Sequence, residues 1–417
     1  MTHGVQEGDA MKSVSSYYIE GKSLYTPKGI LKNCGVLVKD GVIQATGIEK
    51  IGLIEDCRYI NLPDCRILPG LIDIHIHGAN GFDTMDATPQ ALEKISCYLA
   101  RNGVTSFLAA TVTAPLDRIM AAVDNAAHCL DGILSGARFL GVYLEGPYIS
   151  RKYRGAHAES SIREINMDEI RSLVQLGRNS IKVAAIAPEK ENACEAIRYF
   201  RGCGIRAALC HSDAAYAQAG RAVDCGASLV THLFNAMRPL HHREPGFMDL
   251  ALNDNRLYAE LICDGVHVSA PAMQIALRCK GINKLILITD CISAGGLADG
   301  RYKLGAVDVV VKNGVVRTEE GSLAGSTLRL LDAVNRMHNE LGASFENAVK
   351  MASLNPARLL GIDRFTGSLR TGKTADIIAV DSNDNVVLTM VGGKIVYHDP
   401  NIVEGETQAE QSGNPQP

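Results

Sequence analysis

Between Leu71 and Asp290 the chain repeats one pattern eight times: an apolar run of about five to eight residues, then a longer stretch with helical periodicity. The runs fall near 71–77, 104–111, 138–145, 181–186, 206–211, 228–232, 258–263 and 285–290. This alternation is the signature of βα units around a parallel sheet. The intervening stretches carry helix punctuation. In TPQALEKISCYLARNG, Thr88 can cap the helix, Pro89 fits its first turn and Gly103 stops it. Eight units are the number that closes a (β/α)8 barrel, although an open doubly wound sheet has the same periodicity.

The residues at the run ends separate these two folds. His75 and His77 finish LPGLIDIHIHG, Glu145 finishes FLGVYLEGP, His211 stands in IRAALCHSDA, His232 in ASLVTHLFNAM and Asp290 in KLILITDCISAGG. Each can ligate a metal or move a proton, and each is followed by Gly, Pro, Ser or Asn turn chemistry. A strand points alternate side chains to opposite faces, so His75 and His77 share a face and can hold one cation together. Taken singly, such residues are more often caps, turn residues or satisfied core histidines. All six in one pattern point to a metal centre. An open sheet does not gather side chains from its first, third, fifth, sixth and eighth strands, whereas a barrel gathers them at its C-terminal face. The expected fold is therefore α/β, with a (β/α)8 TIM-like barrel.

The flanks read differently. From Ser13 to Arg66 short alternating segments carry hairpin punctuation, such as Asp40-Gly41 in GVLVKDGVI. From Gly367 to His398, TADIIAVD and VVLTMVGGKIVY return to strand alternation. We therefore expect both chain ends, 13–66 and 363–403, to form one small β-sandwich-like domain, with the barrel (67–362) inserted in it. A hairpin-like insert, YKLGAVDVVVKNGVVRT, follows Asp290 and precedes a last helical pair ending near Leu360. Residues 1–12 and 404–417 read as disordered tails.

At 417 residues, 46% hydrophobic and 21% charged, the chain can bury a large core. A net charge of −4 without a block of like charge gives no electrostatic reason to expect nucleic acid or a membrane surface as partner, so any phosphate recognition must be local. Twelve scattered cysteines with no C-x-x-C pair read as small buried hydrophobes in a reducing compartment. Cys210 and Cys291, each beside a candidate site residue, are assigned to the core. No apolar stretch reaches the length of a membrane span, so the expected location is cytoplasmic.

In their order along nearly the whole chain, PGLIDIHIHGANG, LEGPY with GAH, CHSDA, THLFNAM with REPG, CDGVHV, ITDCISAGG, SLAGS, NPAR…LG and G-x-L-x-x-G-x-x-ADI resemble the amidohydrolase superfamily, and within it the N-acetylglucosamine-6-phosphate deacetylases. THLFNAM and LEGPY are specific to the deacetylases. The resemblance implies a metal-dependent hydrolase that removes the N-acetyl group of N-acetyl-D-glucosamine 6-phosphate, giving D-glucosamine 6-phosphate and acetate in amino-sugar breakdown. It implies Glu145, His211 and His232 as ligands of a divalent cation, zinc or iron, and Asp290 as the residue that takes a proton from water and returns it to the leaving amine.

For the substrate, the resemblance implies that Asn235, Ala236 and Arg243 meet the phosphate. The guanidinium fork suits that role, and Arg243 is expected to come from a neighbouring subunit of a homodimer. Ala156 with His157, the stretch Asp264, Gly265, Val266 and His267, and Leu323, Ala324 and Gly325 match the remaining pocket positions. His241 and His242 read as solvated loop residues. Some similar deacetylases lack histidines at the positions of His75 and His77 and work with one metal. Here both are present, so a second metal bridged by Glu145 is open, giving one or two per subunit. Competing readings are an N-acetylgalactosamine-6-phosphate deacetylase, a deaminase or cyclic-amide hydrolase of the same superfamily, and a catalytically silent assembly protein. The LFNAM and REPG elements argue against the deaminase and cyclic-amide readings, and the full ligand set argues against the silent one.

Overall fold

The computed structural model describes residues 16–48 and 57–400. The expected disordered tails, 1–12 and 404–417, lie outside the described residues. Eight parallel strands follow one another around the barrel: Leu71–Ile76, Val104–Ala110, Arg138–Leu144, Ile181–Ile186, Arg206–Leu209, Leu229–Val230, Tyr258–Ile262 and Leu285–Ile288. Each pairs with the next in chain order. The seam closes through main-chain bonds, the Asp290 amide donating to the His75 carbonyl (2.9 Å) and the His77 amide to the Cys291 carbonyl (2.8 Å). Almost every strand residue is buried, as a parallel sheet covered by helices requires.

Several of the strands stop short of the expected ends. The fifth ends at Leu209, the sixth at Val230 and the eighth at Ile288, because the polar residues that follow leave the ladder to enter the site. His211, His232 and Asp290 have φ of +40°, +28° and +51°, a left-handed region that non-glycine residues seldom occupy. Strain of this kind persists only where surrounding structure holds it, and it concentrates at functional sites.

The helices have the anticipated punctuation. Pro89–Arg101 begins behind Thr88, whose hydroxyl accepts from the Ala91 amide, and gives way to Gly103 at φ +80°. The insert after the eighth strand is a three-stranded antiparallel sheet, Gly300–Leu304, Val307–Lys312 and Val315–Thr318. The Gly305 amide donates to Asp83 and the Ser293 hydroxyl to the Lys303 carbonyl, which tie the tip of this sheet to the barrel mouth.

Both chain ends build one seven-stranded sheet in the order Lys394–His398, Val386–Val391, Ile377–Val380, Cys57–Pro69, Ser16–Thr26, Gly29–Lys39, Val42–Ile48. Its pairs are antiparallel except that of Ser16–Thr26 with Cys57–Pro69. The Asp40-Gly41 turn has positive φ at both residues (+50° and +77°), the geometry of a tight hairpin. This sheet has its own core of Ile19, Val36, Val38, Ile43, Ile67, Ile377 and Leu388. Strand Cys57–Pro69 passes directly into the first barrel strand, and Arg138 grips the buried Asp376 with both guanidinium nitrogens (3.0 and 3.1 Å). Thr366 and the Gly392 amide donate to the same carboxylate.

Candidate active site

The C-terminal strand ends surround a cavity of about 300 Å³. Its wall includes His77, Glu145, Ala156, His157, His211, His232, Asn235, Ala236, His267, Asp290, Leu323 and Gly325. Residues that the sequence places up to 248 positions apart thus share one chamber.

Glu145, at the end of the third strand, lies at its centre. Its Oε1 faces His211 Nε2 (3.2 Å) and His232 Nε2 (3.0 Å), and its Oε2 faces His77 Nε2 (3.3 Å) and His75 Nε2 (3.6 Å). One carboxylate therefore spans two groups of possible ligands. The ligating atoms of Glu145, His211 and His232 lie within 4.8 Å of one another, as do those of His75, His77 and Asp290. All six residues are buried.

The histidines' outer partners decide what each ring presents to the cavity. His211 Nδ1 donates to the Tyr153 carbonyl (2.8 Å), and His75 Nδ1 donates to the Glu260 carboxylate (3.0 Å). In the neutral ring each then turns an Nε2 lone pair inward, the arrangement of a metal ligand. His157 is reversed: its Nδ1 accepts from the Thr113 amide (3.1 Å), so Nε2–H points into the cavity as a donor.

These groups fit a divalent cation. Burial, with the neighbouring His157 and His232 rings acting in the same direction, pulls His211 down to about 4, so its ring is neutral near pH 7. A neutral Nε2 lone pair facing a carboxylate oxygen at 3.2 Å is repulsive unless a cation lies between them. His75 Nε2, which faces Glu145 and Asp290, is a buried polar atom without a hydrogen-bond partner. Mixed nitrogen and oxygen donors suit zinc, iron, manganese or cobalt alike.

Asp290 closes one side of the group, with Oδ1 at 3.1 Å from His77 Nε2 and 3.7 Å from His75 Nε2. Burial alone would raise its pKa, but His77 and His75 outweigh it and hold the carboxyl down to about 2. It is therefore ionised and able to accept a proton. Glu145 is likewise held well below the carboxylate range, its burial outweighed by His75 and His157. Cys210 and Cys291, beside the site, are fully buried, and burial pushes both thiols up, which leaves them inert.

Five of the candidate substrate residues do not line the cavity. Asp264 stands behind His267, accepting from its ring Nδ1 (2.7 Å) and backbone amide (2.8 Å), and so orients that ring. Gly265 and Val266 are turned to solvent, and Ala324 is packed beneath the wall. Arg243 is exposed in the loop with His241 and His242, its Nη1 on His242 Nε2 (2.9 Å).

Gly155, Leu304 and Ser322 line the cavity without having been expected there. Leu304 arrives on the inserted sheet, and no local motif marks it. Two further carboxylates had a visible signal, since Asp73 and Glu260 are acidic residues inside buried barrel strands, LIDIHI and YAELI. Asp73 accepts from the Thr289 hydroxyl (2.6 Å) and the His75 amide (3.2 Å), pinning the first strand to the eighth.

A closed barrel with histidines and carboxylates converging at its C-terminal strand ends defines a barrel enzyme with a candidate metal centre. The model of the amidohydrolase family matches residues 66–396, and the chain belongs to that family. It is 44% identical to an N-acetylglucosamine-6-phosphate deacetylase of Vibrio furnissii, over 86% of this chain and 89% of that one. It is 40% identical to an N-acetylgalactosamine-6-phosphate deacetylase of Escherichia coli O157:H7, over 91% of this chain and 99% of that one. Among solved structures it is similar to a mutant N-acetyl-D-glucosamine-6-phosphate deacetylase of Mycobacterium smegmatis in complex with N-acetyl-D-glucosamine-6-phosphate. That match has a TM-score of 0.86 at 30% identity, over 92% of this chain and 99% of that one. Among the described residues no helix is long and apolar enough to cross a membrane.

Proposed function

We propose that the chain hydrolyses the acetamide of N-acetyl-D-glucosamine 6-phosphate, releasing acetate and D-glucosamine 6-phosphate. The observation that carries the reading is the meeting of Glu145, His211, His232 and Asp290 around one cavity, with His157 turned to offer Nε2–H into it. Glu145, His211 and His232 would hold a divalent cation, zinc or iron, which supplies Lewis-acid polarisation of the amide carbonyl and a more acidic water. Asp290 accepts the proton of the attacking water and later delivers it to the departing amine. His157 donates to the carbonyl oxygen as negative charge develops there, an electrostatic contribution from a donor already in place. His267, braced by Asp264, offers its Nε2 to a sugar hydroxyl, and Leu323 with Gly325 forms the opposing wall.

Asn235 and Ala236 border the phosphate end. Arg243 is exposed and absent from its own chain's cavity, which supports delivery of its guanidinium to the neighbouring site of a homodimer. His75, His77 and Asp290, joined to the first group through Glu145, would hold a second cation. A cytoplasmic enzyme acting on a phosphorylated sugar completes the reading.

A second substrate has specific support, because one relative of 40% identity is named for the galactosamine epimer. Acetate release measured on both acetamido sugar 6-phosphates and on their unphosphorylated forms tests the proposal. The expected order is N-acetylglucosamine 6-phosphate first, with large losses on removing the phosphate. No turnover on any of the four sugars overturns it.

A further inference from the structure

Glu260 lies within the seventh barrel strand among apolar neighbours, and none of it reaches solvent. Its Oε2 accepts from the His75 ring Nδ1 (3.0 Å) and from the His232 amide (3.2 Å), while Oε1 has no partner. His75 is its one ionic partner among the described residues. His75 apart, this buried carboxylate has no basic side chain beside it among the described residues, and an apolar side chain would fill the same space at lower cost. Its ring donor, His75, belongs to the second group of possible cation ligands.

That ring is held with Nδ1–H on Glu260 and Nε2 turned toward Glu145 (3.6 Å) and Asp290 (3.7 Å). A carboxylate behind a histidine sets its tautomer, fixes its plane and strengthens it as a ligand. Through the His232 amide the same oxygen also touches the end of the sixth strand, so one carboxylate registers a member of each ligand group against the other.

From this geometry we propose that Glu260 is a positioning residue for a second cation, holding His75 as a ligand without touching substrate. The inference rests on the divalent-cation reading above and extends it to a residue outside the ligand set.

The test compares the wild-type chain, Glu260→Leu and Glu260→Gln, each loaded with Mn(II), by metal analysis per chain and by electron paramagnetic resonance. Leu removes the acceptor, whereas Gln keeps a carbonyl oxygen on both donors and loses only the charge. The wild type is expected to hold two equivalents with an exchange-coupled spectrum, and Glu260→Leu one equivalent with an isolated-ion spectrum. Glu260→Gln should keep two, with the second ion bound about 10–100-fold more weakly. Two equivalents at wild-type affinity in folded Glu260→Leu overturn the proposal. If that variant fails to fold, unchanged second-ion affinity in Glu260→Gln overturns it. A wild type holding one equivalent also overturns it while leaving the deacetylase reading intact, and acetate release by the wild type reports on that reading separately.

Discussion

Asp290 and His157 face the same cavity with opposite capacities, and their partners explain why. Asp290 is kept ionised by His77 and His75, so it can take a proton; His157 has its Nδ1 occupied by the Thr113 amide, so it can only give a hydrogen bond from Nε2. Asp290→Asn is expected to lower kcat by about 10²–10⁴-fold. Metal analysis should show that the Glu145, His211 and His232 group keeps its cation, and substantial remaining turnover would remove Asp290 from the mechanism. His157→Phe removes the donor and is expected to lower kcat by about 10²–10³-fold with metal content unchanged. A variant that changed KM alone would argue for a binding role instead. Asp290 was legible because it terminates an apolar run, whereas His157 stands in the polar stretch RKYRGAHAES and was legible only through the resemblance of its GAH motif. The tautomers were not, since they depend on Tyr153, Thr113 and Glu260, which no spacing rule connects to the rings they orient.

Among elements, the strand ends carry most of the information. Expected strands reached the polar residues themselves, whereas His211, His232 and Asp290 adopt left-handed backbone beyond the last ladder pair. Periodicity identifies a strand but is blind to the residue where its hydrogen bonds stop. The first and eighth strands are held at the seam by Asp73, which receives the Thr289 hydroxyl and the His75 amide. Asp73→Ala leaves buried donors unpaired there, and urea unfolding should show a loss of about 1–3 kcal/mol. A loss below about 0.5 kcal/mol, less than a typical buried hydrogen bond contributes, would show that the main-chain bonds close the seam unaided.

For the whole molecule, the barrel and the terminal sheet are joined by Arg138 on Asp376 and by the continuous passage from Pro69 into Leu71. Arg138→Ala strands a buried carboxylate that keeps only its Thr366 and Gly392 donors. The expected cost is about 1–3 kcal/mol, reduced by the arginine's own partial exposure, and thermal unfolding measures it. At the next level, Arg243→Ala should raise KM for the sugar phosphate about 10–100-fold, in line with the loss of a charged hydrogen-bonded pair, with a smaller change in kcat. An unchanged KM would exclude Arg243 from phosphate binding in any subunit.

The sequence by itself determined the eight-unit repeat, the strand alternation of both chain ends and the candidate ligand types at the barrel-strand ends, because each is written locally in periodicity and turn chemistry. Only the tertiary structure decided that Glu145 spans two groups of possible ligands, that His157 donates where His211 accepts, that Leu304 walls the cavity, and that Glu260 stands behind His75 from 185 residues away. Those outcomes depend on how the barrel closes, which brings together side chains whose separation along the chain carries no signal of their contact.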